Sequence, residues 1–438
     1  MPDVSLTVPE AERLAVVNDV EQHDLPRFAP VSVEWDTETV SDVREAGRSA
    51  VADLPAVGSL PPGSEIAITA GSRGIRDLPE TIVGVVDALR DRGHEPFVFP
   101  SMGSHGGATA EGQREVLADL GMTPETLGCP VRSSMETVEV GAYDDSPVYA
   151  DATAASADAV LLANRVKPHT DFTDRVESGL CKMAVIGMGK REGAEMMHNA
   201  GLTDDMGAEI RERAAILLDE LPVLGGVALI ENAHDRATHV EGVPTGEILD
   251  REPELLERAY EELPTLPVDD LDLLVVDEMG KEISGTGLDT NVLGRTYFRG
   301  EPEPDRPDYT RVYVRSLTAP SHGNALGVGL ADVVHQDLVR DVDLGDTYVN
   351  IATSGETRRA KLPLIVPDDA SALLLAPSVT GTPDPEALRV ARIPDTMEPG
   401  ALLVSEAVVP ELRDRDDATV GELRTLSLTD GDLEPDPY

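Results

Sequence analysis

Lysine is scarce in this 438-residue chain. Only Lys167, Lys182, Lys190, Lys281 and Lys361 stand among 36 basic and 82 acidic residues. Such a composition retains lysine where arginine or an acid will not serve. Arginine stays charged, whereas a lysine can shed its proton and become a nucleophile. Lys167, Lys182 and Lys190 all fall within residues 164–190. Around Lys182 the apolar Leu180, Met183, Ala184, Val185 and Ile186 would bury its stem, and burial depresses an amine's pKa. The structural alternative is a lysine that caps a helix or pairs with Glu177. Lys361 has no comparable context and reads as a chance survivor.

Of the nine histidines, His105 and His169 sit in Gly- or Pro-marked segments, Ser104-His105-Gly106 and Lys167-Pro168-His169. Each follows an apolar β-type run. A histidine pair facing one cleft can take a proton on one side of a substrate and give one on the other, because imidazole titrates near working pH. His198 follows Lys182 by sixteen residues and lies one helical turn after Glu195. As neutral imidazole it is a candidate metal ligand; its alternative is an ordinary surface-helix histidine. Gly71-Ser72-Arg73-Gly74 could hold an anion with backbone N–H groups and the arginine fork. Lys281, in Glu278-Met-Gly-Lys-Glu, could clamp a carboxylate. Cys181 reads as packing, and the spacing of His234, His239 and His322 singles none of them out.

Elements that could position these residues alternate between strand and helix. Glu65–Ala70 reads as a buried strand, Leu78–Arg92 as a helix ending at Gly93, and Pro96–Pro100 as a second strand. The loop 101–109 and a helix over Ala110–Leu120 follow. Asp158–Asn164 and Val227–Asn232 read as further strands. Strand–helix alternation implies parallel pairing with right-handed crossovers, and ligands then sit beyond the carboxyl ends of the strands. The loops bearing Arg73, His105 and His169 would all lie there. A break near Leu263–Asp270 divides the chain into domains 1–265 and 266–438. In the second, Leu271–Asp277, Tyr309–Arg315, Tyr348–Ala352 and Ser371–Ala376 read as strands, Leu326–Asp337 as a helix, and 430–438 as a polar tail. The fold class is therefore α/β: two α/β domains with mostly parallel sheets and an interdomain active-site cleft.

The formal net charge of −46 argues against nucleic acid or an anionic membrane as partner. With 41% hydrophobic residues in periodic runs, the chain can still build cores. Charge of this size fits a halophilic cytoplasm, where molar salt shortens the Debye length to about 3 Å. No signal peptide or membrane-length apolar run is visible, and two cysteines fit a reducing cytosol. Common zinc motifs and the P-loop are absent.

Taken together, these motifs resemble the nickel-dependent lactate racemase family. Ser72 and Arg73 resemble its first anion loop, and Ser104-His105-Gly106 its first catalytic histidine loop. Pro168-His169 resembles its second. Ser178-Gly-Leu-Cys-Lys182 resembles its cofactor-bearing Gly-Gly-x-Lys, with Leu180 in place of the second glycine, and Thr69-Ala70 stand where the family has an acid. The stretch from His169 to Lys182 is longer than in lactate racemase itself. His198 has the spacing of the nickel ligand, and Lys281 could fill the place of the substrate-binding lysine in the second domain. The resemblance implies a nickel-pincer nucleotide, a pyridinium bis-thiocarboxylate mononucleotide with Ni, joined to Lys182 and held between two α/β domains. It also implies Arg73 on substrate carboxylate or cofactor phosphate, a small-molecule 2-hydroxy acid as substrate, racemisation or epimerisation by hydride removal and return, and cofactor-synthesis proteins as partners. Two other readings stand beside it: a nickel-free enzyme using Lys182 as a Schiff base on a carbonyl substrate, and a non-catalytic small-ligand-binding protein on the same scaffold.

Overall fold

The computed structural model describes residues 7–200, 205–435 and 438, without the side chains of 198–200 and 353. The chain forms two compact units, one of Thr37–Leu263 and one of Met1–Asp36 with Pro264–Tyr438. Strands in chain order are β1 (Phe28–Val33), β2 (Glu65–Ala70), β3 (Glu95–Pro100), β4 (Thr137–Tyr143), β5 (Ser146–Asp151), β6 (Ala159–Arg165), β7 (Val223–Glu231) and β8 (Ala237–Pro244). They continue with β9 (Asp270–Met279), β10 (Asp308–Leu317), β11 (Val333–His335), β12 (Leu364–Val366), β13 (Val390–Ile393), β14 (Ala401–Ser405) and β15 (Ala418–Val420).

The Thr37–Leu263 unit is built on a five-stranded sheet in the order β3-β2-β6-β7-β8. Its first four strands are parallel and β8 runs back antiparallel to β7. β2 is buried from Ile66 to Ala70, as a central strand covered on both faces must be. The crossover helix Leu78–Asp91 starts on a proline in its first turn and is followed by Gly93 at φ 83°. Against it packs helix Val43–Ala52. Gly47 and Gly84 let the two backbones meet: a Cβ on Gly47 would lie 2.2 Å from the Thr81 carbonyl oxygen, and one on Gly84 1.9 Å from that of Arg44. One core cluster, including Ile66, Ile68, Leu89 and Leu161, fills one side of the sheet. Another, including Phe97, Phe99, Leu162, Leu180 and Val185, fills the other.

The second unit holds an eight-stranded sheet in the order β12-β11-β10-β9-β13-β14-β1-β15. β12 to β13 are parallel, and β14, β1 and β15 join antiparallel. The architecture is thus two α/β units with mostly parallel sheets. Residues 1–36, read from sequence as part of the first domain, belong with the second: β1 pairs along Phe28–Ser32 with β14 and buries Ala29, Val31 and Val33 in that unit's core. Such an antiparallel addition joins residues hundreds of positions apart and leaves no local signal.

Secondary structure departs from expectation at three places in this unit. Tyr348–Ala352 and Ser371–Ala376, read as strands, lie in helices Leu344–Ser354 and Asp369–Thr380. Asp343 and Asp368 cap these helices, and each ends on a left-handed glycine, Gly355 or Gly381. Short apolar runs suit a buried helix as well as a buried strand, and here the caps decide. Leu326–Asp337, read as one helix, is broken into a short 3-10 turn (Val328–Leu330), β11 and helix Gln336–Asp341. Gly327, at φ 95°, abuts the Thr286 carbonyl and enforces the break.

Candidate active site

Parallel strands β3, β2 and β6 lie side by side, so the segments after Pro100, Ala70 and Arg165 leave one edge of the sheet. These segments carry His105, Arg73 and His169. The Ser101 N–H donates to the Ala70 carbonyl (2.7 Å), which joins the first two loops at their roots.

The third loop is closed by its own backbone. Lys167 and Ser178 pair as an antiparallel bridge, with N–H donors at 2.8 and 3.3 Å. Glu177 sits in the neck of this loop, 1% exposed. Its carboxylate accepts the N–H of His169 (2.5 Å), the N–H of Asp174 (3.2 Å) and the Tyr260 hydroxyl (2.9 Å). Burial raises its pKa to about 7, and those donors hold it from rising further. The His169 ring lies 4.4 Å from Phe172, and its Nδ1 accepts the Asp171 N–H at 3.0 Å. A neutral ring in this arrangement carries its hydrogen on Nε2. The Asp171 carboxylate stands 4.0 Å from Nδ1.

Lys182 ends a single helical turn, Leu180–Lys182, that runs into a π-helical turn over Met183–Gly187. Glu252, 1% exposed, holds the start of this turn by accepting the Cys181 N–H at 2.8 Å. Its pKa too is raised by burial to about 7. Gly179 makes room for it, since a Cβ there would lie 2.3 Å from Glu252 Oε1. Cys181 is fully buried, and burial followed by the charge of Glu252 pushes its thiol well up, so it packs. Lys182 itself is half-buried, with Nζ 3.4 Å from Ser178 Oγ. Burial lowers its pKa to about 8; Asp171 and Glu177 oppose the shift, and Arg73 and Lys167 add to it. The amine is therefore available at mildly alkaline pH. Desolvation also lowers the pKa of Arg73, with Arg165 adding and Asp171 opposing. Arg165 is itself paired to Glu231, which accepts the Arg76 N–H at 3.0 Å.

The structure thus brings Lys182 together with Arg73, Lys167, Asp171 and the neck of the His169 loop. Ser72 is half-buried in the same turn as Arg73. His105 is exposed on its loop at the same sheet edge, followed by left-handed Gly106, Gly107 and Ala108. His198 falls in helix Lys190–Ala200, but its side chain lies outside the described residues. Lys281 belongs to the other unit, where its ammonium donates to the Gly285 carbonyl at 2.5 Å. Sequence reasoning missed the two buried carboxylates. Glu177 stands next to the motif and was weighed only as an ion-pair partner of Lys182, while Glu252 comes from a helix about seventy residues on and leaves no spacing to read.

No family model matches this chain, and no curated protein does. Among solved structures, the lactate racemase apoprotein from Thermoanaerobacterium thermosaccharolyticum superposes with a TM-score of 0.52 at 11% identity, covering 84% of this chain and 99% of that one. A Thermotoga maritima protein aligns with a TM-score of 0.46 at 12% identity over 64% of this chain and 72% of its own. The fold is therefore that of lactate racemase, an α/β architecture. Among the described residues, no helix is long and apolar enough to cross a membrane.

Proposed function

We propose that this protein is a racemase or epimerase of a 2-hydroxy acid, working with a nickel-pincer nucleotide tethered to Lys182. The observation that carries the reading is the Lys182 amine. It is half-buried, its pKa is lowered to about 8, and Arg73 and Lys167 are close enough to lower it further. A nucleophilic amine beside cations fits a covalently held, phosphate-bearing cofactor. Likeness to a lactate racemase fold supports the same reading. When bound, that group would supply a hydride acceptor for the substrate's α-hydrogen.

The chain's own residues do the rest. Arg73 orients an anionic group, the substrate carboxylate or the cofactor phosphate. His105 and His169 serve opposite faces of the reacting carbon, one taking the hydroxyl proton and the other returning it. For His169 to take a proton at Nε2, its Nδ1 must exchange the Asp171 N–H for a hydrogen of its own. The Asp171 carboxylate, 4.0 Å away, would accept that hydrogen once drawn within hydrogen-bond distance. His198 is the proposed metal ligand.

The experiment is racemisation of a panel of α-deuterated 2-hydroxy acids by protein from a cofactor-making host. Interconversion of enantiomers with the deuterium retained supports hydride chemistry. Deuterium lost to solvent would replace hydride transfer with proton abstraction, and a borohydride-trapped adduct on Lys182 without nickel would replace this reading with a Schiff-base lysine on a carbonyl substrate.

A further inference from the structure

Lys190 has no part in the chemistry above, yet it is the most deeply placed lysine in the chain, with an exposure of 0%. Its ammonium donates to the Pro100 carbonyl (2.5 Å) and to Gln113 Oε1 (3.2 Å), and it pairs with Asp151 Oδ2 (3.0 Å). Two of its N–H groups go to the Pro100 and Gln113 oxygens, and the ion pair with Asp151 balances the buried charge. A planar guanidinium with five donors would leave some unmatched in the same space, which gives a physical reason for lysine here in an arginine-rich chain.

The contacts lead in one direction. Gln113 is also fully buried, and with Oε1 committed to Lys190 its NH2 group must face the other way. There it donates to the carbonyls of Met102 (3.0 Å) and Gly103 (2.8 Å). The carbonyls of residues 100, 102 and 103 are therefore all tied, directly or through one amide, to a single buried cation. His105 is two residues further on. Gly103 lies flush against the helix that Lys190 begins, since a Cβ there would stand 2.7 Å from that of Ala194. Lys190 holds φ 54°, a left-handed conformation uncommon outside glycine and kept where the surroundings over-determine it.

We infer that Lys190 is a positioning residue for the His105 loop: its ammonium sets the orientation of the Gln113 amide, and the pair fixes where His105 leaves the sheet. The effect on turnover rests on the proposed role of His105; the effect on the loop does not.

The test uses two variants of the full chain, purified in molar potassium chloride. Lys190→Met paired with Asp151→Asn removes the cation without stranding a buried carboxylate. Gln113→Glu keeps an acceptor for Lys190 but turns an oxygen toward two carbonyl oxygens, so it attacks the loop alone and serves if the first variant fails to fold. Amide hydrogen exchange over residues 101–109 is compared with that of β2. The expected result for Gln113→Glu is exchange about tenfold faster or more across the loop with β2 unchanged, local opening being separable from global unfolding. In the cofactor-loaded protein, kcat should fall about tenfold or more with KM held. Wild-type exchange over 101–109 in Gln113→Glu would overturn the inference. Faster exchange with unchanged racemisation would leave the positioning intact and remove His105 from the proposed mechanism.

Discussion

The two sheets carry opposite chemistry near the carboxyl ends of their parallel strands. In the Thr37–Leu263 unit that edge holds a lysine lowered to about 8, a carboxylate raised to about 7 and two histidine loops. In the other unit the corresponding positions are taken by arginine–carboxylate ion pairs. Asp277 on β9 accepts from Arg315 on β10 (2.9 Å) and from Arg392 on β13 (2.8 Å). Arg315 also forks onto Asp369, whose oxygens accept the Tyr313 hydroxyl (2.5 Å) and the Leu433 N–H (2.8 Å). The end of the chain closes this network: Arg392 donates to the Glu434 carbonyl (2.9 Å), and the Tyr438 hydroxyl donates to Asp277 (2.8 Å). His335, Asp369 and Asp432 come within 4.8 Å of one another there, the spacing of a metal site. Their atoms are already used, however. His335 Nδ1 accepts the Asp337 N–H (3.1 Å), so its Nε2–H donates to Asp432 (3.2 Å). Groups that titrate near neutrality suit proton and covalent chemistry, whereas arginine–carboxylate networks hold geometry.

The largest expected effect falls on the histidine loops. His105→Ala and His169→Ala should each lower racemisation in both directions by about 10²–10⁴-fold, because each direction needs one acid and one base. Nickel per subunit should be unchanged in both, while His198→Ala should lose it. Full nickel in His198→Ala with loss in His169→Ala would reverse the assigned roles.

The arginine network should answer in stability instead. Arg315→Met leaves Asp369 buried without its main partner and should lower unfolding free energy by about 3–5 kcal/mol in urea denaturation. An unchanged midpoint would show that the network in the second unit is dispensable, and the contrast between the edges would lose its structural half.

A smaller effect is the pH dependence of the buried carboxylates. The folded pKa of Glu177 is raised from 4.5 to about 7, chiefly by burial. The folded state therefore holds its proton more tightly than the unfolded chain. The stability this contributes is complete below about pH 4.5 and is lost as pH rises through about 7, up to about 3 kcal/mol. Glu177→Gln should flatten that part of the stability profile between pH 5 and 8. Parallel profiles for the variant and the wild type would show that Glu177 is not perturbed in the fold.

Much of this contrast was open to sequence reading on one side only. Strand–helix alternation from Glu65 to Asn164 placed the Arg73, His105 and His169 loops at one sheet edge, because consecutive parallel strands make such patterns local. The partners that hold those loops were hidden. Glu252 reaches Cys181, and Lys190 reaches Pro100 and Asp151, across separations that no periodicity reports. The tail at 430–438 was read only as polar, but its Leu433 and Glu434 carbonyls and its Tyr438 hydroxyl bond Arg315, Arg392 and Asp277. β1 was missed for the same reason, since its partners lie at the other end of the chain.

The central claim is that Lys182 carries the cofactor. The most direct measurement is the intact mass, with peptide mapping, of wild type and Lys182→Ala made in a cofactor-producing host, read alongside nickel per subunit. The account predicts an adduct on the Lys182 peptide of the wild type and none in Lys182→Ala or Lys182→Arg, since a guanidinium stays protonated. Lys190→Ala, wherever it folds, should still be loaded. An unmodified Lys182 in active wild-type protein, or equal loading of Lys182→Ala, would contradict it.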